Sequence, residues 1–156
     1  IKVSGDATLK IARLRPGTRI GIEGPYGSFT VAARTRHKVA LVGAGVGVTP
    51  LRALLEDLPQ SVDVVFVQRG STPEQMVHYG EIESLVEARG GRMIGLVGSR
   101  RRHQLEDPRY LHRVIPDVAS RDLYVCGPDE FSKGVVAAAR RLGTAQESIH
   151  QESFEL

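Results

Sequence analysis

Three glycines at alternate positions follow the first strongly apolar segment of the chain, and they constrain its fold more than any other feature. The run Val39-Ala40-Leu41-Val42 stops at Gly43, and Gly45 and Gly47 come next, followed by Val48-Thr49-Pro50. Proline is tolerated at the start of a helix, and threonine can cap the amide groups there. Glycines at such a turn let the backbone approach a phosphate closely. The pattern predicts a strand, an anion-binding turn and a helix; a tight turn without a ligand is the alternative.

The glycine spacing differs from two common phosphate-binding motifs. The ordinary dinucleotide fingerprint, Gly-x-Gly-x-x-Gly, needs a glycine where Val48 stands. It also places a carboxylate at the end of the second strand, where this chain has Gln68 and Arg69. A Walker A loop is excluded because no Gly-Lys-Ser/Thr follows the turn. We therefore expect a dinucleotide that is bound in a different geometry.

After the turn, short apolar segments alternate regularly with helical patterns. The pattern predicts helices at residues 49–58, 81–89, 110–115 and 128–142, and strands at residues 39–42, 62–67, 93–97, 123–126 and 149–154. Short buried strands that alternate with helices are typical of a doubly wound parallel sheet. We predict an α/β fold with a five-stranded parallel sheet, helices on both faces and a ligand at the carboxyl ends of the strands.

Residues 1–33 have a different pattern from the rest of the chain. Ile20 and Ile22, followed by turn residues at positions 24, 25 and 27, predict a strand edge or hairpin end with no helix before it. The stretch is too short for a separate β-domain, and the chain starts at Ile1 without an initiator methionine. We expect residues 1–33 to be the last strands of a truncated β-domain and residues 34–156 to be the nucleotide domain.

Composition argues against several classes of protein. The net charge is only +3 and 5% of the residues are aromatic, so we expect no nucleic-acid partner. No apolar run approaches the roughly 20 residues that span a bilayer. The single cysteine, Cys126, excludes an internal disulfide and a four-cysteine metal site, and it fits a reducing, cytoplasmic compartment. The five histidines lack metal-ligand spacing: His37, His78, His103, His112 and His150.

Three further segments accompany the glycine turn in a fixed order. Gly24-Pro25-Tyr26-Gly27-Ser28-Phe29 precedes the first strand, Cys126-Gly127-Pro128 ends the fourth, and Glu152-Ser153-Phe154 lies near the end of the chain. With residues 43–50, they resemble the ferredoxin–NADP reductase superfamily over essentially the whole chain. Residues 122–128 and 149–154 look most like the reductase modules of ferric-reductase and NADPH-oxidase-like membrane proteins, which pass electrons from NAD(P)H through FAD to haems.

This resemblance implies roles for three residues near the reacting rings. Cys126 resembles the cysteine that approaches nicotinamide C4, where it would act by packing and polarisation; a small buried hydrophobic residue is the alternative. Phe154 resembles the aromatic residue that covers the flavin ring. Glu152 resembles an acidic residue near flavin N5. The alternative for Phe154 is an ordinary hydrophobic edge residue, and the alternative for Glu152 is a solvated strand carboxylate.

The resemblance also implies cofactor-binding residues. The glycine turn would hold the pyrophosphate and the nicotinamide end of the cofactor, and Gly127 with Pro128 would approach the cofactor from the other side of the crevice. The residues of the turn are Gly43, Gly45, Gly47, Val48, Thr49 and Pro50. Gly5 and Thr8 resemble a segment at the flavin pyrophosphate. Ser99 and Arg100 resemble the pair that holds the adenosine 2′-phosphate of NADPH, and Arg69 would add charge or stack on the adenine. A solvated basic loop is the alternative, and we favour NADPH over NADH.

We therefore expect the NAD(P)H-binding module of a flavin-dependent oxidoreductase, with hydride transfer from NADPH to FAD and onward electron transfer to a haem or metal acceptor. The expected partners are an FAD-binding barrel and a haem-bearing transmembrane domain in the same polypeptide, which would make this chain a cytosolic module of a membrane protein. Alone, it would bind FAD weakly or not at all. The alternatives are a soluble flavoreductase domain that serves an oxygenase or ferredoxin, and a non-catalytic nucleotide-binding module. The sequence leaves the oligomeric state open.

Overall fold

Five parallel strands form one sheet in the computed structural model of the chain, which describes residues 5–21, 23, 29–99 and 101–154. The strand order is β3-β2-β1-β4-β5. Between β1 and β4 the order reverses, so their carboxyl ends form the switch point where ligands of such sheets bind. The prediction of a five-stranded parallel sheet is confirmed, with strands at β1 (Lys38–Ala44), β2 (Asp63–Gly70), β3 (Arg92–Val97), β4 (Asp122–Pro128) and β5 (Ile149–Phe154).

Helices cover both faces of the sheet because side chains alternate along each buried strand. In β1, Val39 and Leu41 join one hydrophobic cluster, whereas Ala40 and Val42 join the other. The helices are α1 (Asp6–Ala12), α2 (Val48–Asp57), α3 (Tyr79–Glu87), α4 (Pro108–Val114) and α5 (Asp129–Arg141). Residues of α2 and α3 pack in the first cluster, and residues of α4 and α5 pack in the second. None of the helices in the described part of the chain has the length and apolar composition needed to span a bilayer.

The predicted helices are confirmed, and local chemistry accounts for the buried face of α2 and for the start of α4. The helical spacing of four leucines buries one face of α2 and its end: Leu51, Leu54, Leu55 and Leu58. Helix α4 begins at Pro108, two residues before the predicted start, because the Asp107 carboxylate accepts the amide of Arg109 at 2.7 Å. Proline is favoured at the first helical position and aspartate at the cap before it.

The segment before β1 differs from its prediction. Residues 6–12 form helix α1, so the expectation that no helix precedes the predicted strand edge is wrong. The cause is a local cap, in which the Gly5 amide donates to the Thr8 hydroxyl at 3.1 Å and that hydroxyl donates to the Gly5 carbonyl at 2.9 Å. Ile20 is 63% exposed, and Ile22 lies outside the described residues. That residues 1–33 close a flavin barrel stays a prediction.

Candidate functional site

The glycine turn lies directly over the end of β4. Gly43 pairs with Cys126 in the parallel register of β1 and β4, and the turn at Gly45–Gly47 then crosses the edge of the sheet. A Cβ atom on Gly47 would lie 2.3 Å from the carbonyl oxygen of Cys126 and 2.8 Å from the amide nitrogen of Gly127. Only glycine therefore allows the turn to pack on this backbone.

The two other glycines of the turn have separate functions. A Cβ atom on Gly43 would lie 2.8 Å from the Leu51 side chain, so this position keeps α2 close to β1. Gly45 has a φ of +58°, in the left-handed region that favours glycine, and no atom of the described part of the chain lies within 4 Å of the place where its Cβ would be. Gly43 and Gly47 are therefore fixed by packing, whereas Gly45 sets the conformation of the turn and leaves open space beside it.

Thr49 is placed differently from its expected capping position. Helix α2 starts at Val48 with Gly47 as its N-cap, and no side chain caps its amides. The Thr49 hydroxyl donates instead to the carbonyl of Val46 at 2.9 Å. The expectation that Thr49 caps the helix amides is therefore wrong, because the hydroxyl closes the preceding turn. Thr49 is exposed and Pro50 half-buried, and their contact with a pyrophosphate stays a prediction.

The turn forms one wall of a cleft of about 380 Å³ at the carboxyl edge of the sheet, mainly between the ends of β1 and β2. This volume is within the roughly 300–1,000 Å³ of typical ligand sites. The opposite wall comes from the loop after β2, and Pro128 contributes from the end of β4. The cleft is lined by Ala44, Gly45, Val46, Arg69, Gly70, Ser71, Glu74, Gln75, Val77 and Pro128.

Arg69 supplies the cleft with a largely buried positive charge. Its side chain follows the end of β2 and is 8% exposed as a residue. One guanidinium nitrogen, Nη2, lies 3.5 Å from the carbonyl oxygen of Gly98, whereas Nε has no hydrogen-bond partner among the described residues. Because Arg69 lines the cleft, its positive charge favours an anionic ligand there.

Two polar residues of this wall were missed by sequence reasoning as site residues. Gln68 is fully buried, and its Nε2 donates to the Val77 carbonyl at 2.9 Å, which holds the outer wall against β2. Glu74 brings a carboxylate into the cleft; hydrogen bonding from the Thr72 side chain lowers the pKa of Glu74. A signal for Gln68 was available, since it is a polar residue at the end of an otherwise apolar strand. The placement of Glu74 depends on the fold of the loop.

The residues predicted to select the cofactor follow β3. The Gly98 amide donates to the Gly70 carbonyl at 3.0 Å, which brings the start of this loop beside the wall that contains Arg69. Ser99 comes next and is exposed, and its carbonyl accepts the amides of Arg102 and His103. Arg100 lies outside the described residues, so its contact with a 2′-phosphate stays a prediction.

Strand β5 places the remaining predicted residues beside β4. Glu152 pairs with Cys126, and the backbone of Phe154 pairs with that of Pro128. Glu152 is exposed. The side chain of Phe154 and residues 24–28 lie outside what the structure describes. Gly5 and Thr8 hydrogen-bond to each other at the start of α1 and do not line the cleft.

Cys126 is a neutral, buried thiol. It is 1% exposed, and burial, reinforced by the charge of Glu152, raises the pKa of its thiol to about 12. A thiol of this pKa is protonated near neutral pH and is a poor nucleophile. The burial matches the alternative reading of a small hydrophobic residue, and it is compatible with packing beside a nicotinamide ring; the latter role stays a prediction.

Comparison with curated proteins finds relatives of this chain, although no protein-family model matches it. The chain is 28% identical over 153 residues to the glycine betaine monooxygenase reductase subunit of Chromohalobacter salexigens. It is 29% identical over 141 residues to the vanillate O-demethylase oxidoreductase of Acinetobacter baylyi. Each match covers 90% of this chain and 42% of the relative. The chain therefore spans less than half the length of the curated relatives it matches.

Solved structures share the architecture described above. The flavohem-like FAD/NAD-binding domain of nitric oxide dioxygenase from Vibrio cholerae matches with a TM-score of 0.69 and 26% identity, over 83% of this chain and 56% of that chain. A ferredoxin NADP+ reductase from Neisseria gonorrhoeae, solved with bound FAD and NADP, matches with a TM-score of 0.70 and 15% identity. That match covers 97% of this chain and 71% of the other, and at this identity it shows the fold alone.

Proposed function

We propose that this chain, which has the sequence and fold of the ferredoxin–NADP reductase superfamily, is the NAD(P)H-binding domain of a flavin-dependent oxidoreductase. The resemblance expected from the sequence is confirmed for the superfamily; the narrower likeness to ferric-reductase modules stays a prediction. The observation that carries the proposal is the contact of Gly47 with the backbone of Cys126 and Gly127, beside the cleft that contains Arg69. This contact brings two predicted cofactor-binding motifs, residues 43–50 and residues 126–128, together at one edge of the sheet.

The chain's own residues fit a dinucleotide by shape and charge. The open side of Gly45 leaves room for a pyrophosphate near the start of α2, where the helix dipole is positive. Arg69, which lines the same cleft, adds a positive charge. When bound, the nicotinamide supplies a hydride and the flavin of the full-length protein accepts it. The protein contributes orientation, and the protonated thiol of Cys126 does not compete as a nucleophile.

Charge in the cleft bears on the choice between NADPH and NADH. Arg69 and the predicted contribution of Ser99 and Arg100 favour a 2′-phosphate, and on this basis we propose NADPH as the preferred donor. Glu74 acts in the opposite direction, since a carboxylate repels a phosphate and accepts hydrogen bonds from a ribose. Arg100→Ala should therefore weaken NADPH binding at least about tenfold more than NADH binding. An equal loss for both nucleotides would contradict the assignment of the 2′-phosphate site.

The electron acceptor is the least constrained part of the proposal. The two curated relatives named above are reductases of a monooxygenase and of a demethylase, and the Vibrio neighbour is a domain of nitric oxide dioxygenase. These likenesses support an acceptor in an oxygenase component or a haem domain over the membrane haem domain that the ferric-reductase likeness implies. A gene that encodes haem-ligating membrane helices before residue 1 would reverse this preference.

Equilibrium titration tests the proposed function. The chain is titrated with NADPH, NADH and 2′-phospho-AMP, and binding is measured by calorimetry. We expect NADPH and 2′-phospho-AMP to bind with Kd values on the order of 10⁻⁶–10⁻⁴ M, the range of nicotinamide sites that release their product. If none of the three binds below millimolar concentration, the chain is not a nicotinamide-nucleotide domain.

A further inference from the structure

A second group of interactions lies at the opposite edge of the sheet, where β4 and β5 begin. Residues 29–36, which precede β1 and are called the linker below, cross this edge. Asp122, the first residue of β4, is fully buried. Its carboxylate accepts the amide of Thr35 at 2.9 Å, the hydroxyl of Thr35 at 3.0 Å and also the amide of Arg36. A buried carboxylate is therefore satisfied mainly by the linker and not by the core.

Tyr124, two residues further along the same face of β4, makes the next contact. Its hydroxyl donates to the carbonyl of Thr30 at 3.0 Å, and its ring meets Phe29 edge-on with centroids 5.4 Å apart. The ring also stacks on His150 of β5 at 4.3 Å, and His150 Nε2 lies 3.2 Å from the Asp122 carboxylate. Two side chains of β4, supported by one of β5, thus hold both ends of the linker.

The linker has a third attachment, to the turn before β5. Ser148 is buried, and its hydroxyl accepts a hydrogen bond from Arg36 Nε at 2.8 Å. The same hydroxyl lies 3.3 Å from the Thr35 hydroxyl. Arg36 also reaches the Ala119 carbonyl at 3.3 Å. The linker backbone is therefore fixed to strands that carry the predicted nicotinamide site at their other end.

We propose that Asp122 and Tyr124 are positioning residues, which orient the flavin-binding part of the full-length protein against the nucleotide domain by fixing the linker. The proposal rests on the proposed function and on the prediction that the residues before the linker belong to a flavin barrel. A buried carboxylate that accepts two backbone amides is a strong anchor, because charge-assisted hydrogen bonds are about twice as strong as neutral ones. Transfer between two rings is sensitive to misplacement of about 1 Å.

The contacts of Asp122 with the linker are far from the nucleotide cleft, so the two functions can be tested separately. Asp122 and Pro128 stand six residues apart in β4, which is about 20 Å at the rise of an extended strand. A substitution at Asp122 that leaves the ladder intact should therefore change the position of the linker without changing the cleft. Direct damage to the nucleotide site would instead weaken binding of the nucleotide itself.

The test uses the full-length protein with its flavin and the variants D122N and Y124F. Asp122→Asn places an amide donor beside two backbone amides, and Tyr124→Phe removes only the hydroxyl that reaches Thr30. We expect the Thr35 and Arg36 amides of D122N to exchange hydrogen about tenfold faster, which corresponds to losing one strong hydrogen bond. The Kd for NADP+ should stay within about twofold. Flavin reduction at saturating NADPH should slow about tenfold in D122N and about threefold in Y124F.

The control variant is Lys38→Gln, at the same sheet edge, whose exposed side chain pairs with Asp117. This variant should leave the hydrogen exchange of the Thr35 and Arg36 amides, the Kd for NADP+ and the rate of flavin reduction unchanged. Unchanged flavin reduction in both D122N and Y124F would overturn the proposal, and so would a loss of NADP+ affinity that parallels the loss of rate. If D122N does not fold, Y124F alone decides by the same criteria. A wild-type protein that neither binds NADP+ nor is reduced by NADPH would refute the proposed function instead.

Discussion

Gly47 carries the closest backbone approach in the candidate site, and it is the residue at which a single methyl group has the largest predicted effect. In Gly47→Ala the new Cβ would lie 2.3 Å from the Cys126 carbonyl oxygen, which belongs to a buried strand and cannot rotate away. We expect the free energy of unfolding to fall by about 1–3 kcal/mol, as overpacking does elsewhere, and NADPH binding to weaken as α2 shifts. Urea unfolding measures the first effect and calorimetry the second.

Gly80→Ala is the matched control for this substitution. Gly80 lies in the first turn of α3, and none of the described residues places an atom within 4 Å of the position that its Cβ would occupy. Alanine is the better helix former by up to about 1 kcal/mol, so this variant should be as stable as the wild type or slightly more stable. Equal stability of G47A and G80A would contradict the close contact between the turn and β4.

The buried thiol of Cys126 gives a second test at the residue scale. Because burial raises its pKa from 9.0 to about 12, the folded chain should contain about a thousandfold fewer thiolates than the unfolded chain at pH 8. Reaction with a thiol reagent such as 5,5′-dithiobis(2-nitrobenzoate) should therefore be at least about a hundredfold slower before unfolding than after it. Cys126 is the single cysteine of the chain, so the assay reports on this residue alone. Equal rates would show that Cys126 is an accessible, reactive thiol.

Among the elements, β1, β2 and β4 are joined at their amino ends by the guanidinium of Arg121. This side chain is 6% exposed. It donates to the Asp117 carboxylate at 2.8 Å, to the Asp63 carboxylate at 3.0 Å and to the Val39 carbonyl at 3.2 Å. Arg121→Lys keeps the charge but loses the planar fork that reaches all three acceptors. We expect the free energy of unfolding to fall by about 1–3 kcal/mol in urea.

Arg109→Lys is the control for this experiment, because Arg109 is exposed on α4. Its stability should differ from that of the wild type by less than about 0.5 kcal/mol. If R121K is as stable as R109K, the fork geometry of Arg121 does not hold the strands together.

The elements themselves were largely predictable from local sequence, and the exceptions have physical causes. Leucine spacing in α2 and β-branched runs in β2 are local signals, so both elements were found. Helix α1 was missed because its signal is a four-residue cap with no buried face. The capping expected of Thr49 failed because its hydroxyl can donate equally well to the preceding turn. Local patterns do not specify such choices.

Residues whose partners are distant in sequence were beyond the reach of pattern reasoning. The sequence places Asp122 only in a family-like segment, although its carboxylate binds Thr35, 87 residues away in sequence. The sequence distinguishes Gln68 only by the absence of a carboxylate at that position. The glycine turn, in contrast, could be predicted from its local pattern, although the contact that requires glycine at position 47 is with the backbone of Cys126, which is also distant in sequence.

For the whole molecule, two sets of shifted pKa values set the pH range of stability. Asp117 has a pKa lowered from 3.8 to about 2, chiefly by its hydrogen bond from Arg121. Its contribution to the free energy of unfolding is present above pH 4 and is lost as pH falls toward 2. Burial raises the pKa of Cys126 from 9.0, and that of Tyr124 from 10.0, to about 12. The contributions of these two groups to the free energy of unfolding are present below their pKa values in the unfolded chain and are lost as pH rises toward 12.

Melting temperatures measured by circular dichroism from pH 2 to pH 11 should therefore be highest between about pH 4 and pH 9. Cys126→Ser removes the thiol and should reduce the alkaline loss, with the acid limb unchanged. An alkaline limb of the same depth in C126S and the wild type would contradict the contribution of the buried thiol.

The central claim is that the switch point between β1 and β4 is a nicotinamide-nucleotide site, and amide chemical shifts test it most directly. In a ¹H–¹⁵N titration of the 17.0 kDa chain with NADP+, the largest shifts should fall on the turn and the cleft walls, at Gly45, Val46, Arg69 and Gly127. Amides near Asp122, about 20 Å away along β4, should move little. No shifts at millimolar NADP+, or shifts confined to residues outside this edge of the sheet, would contradict the claim.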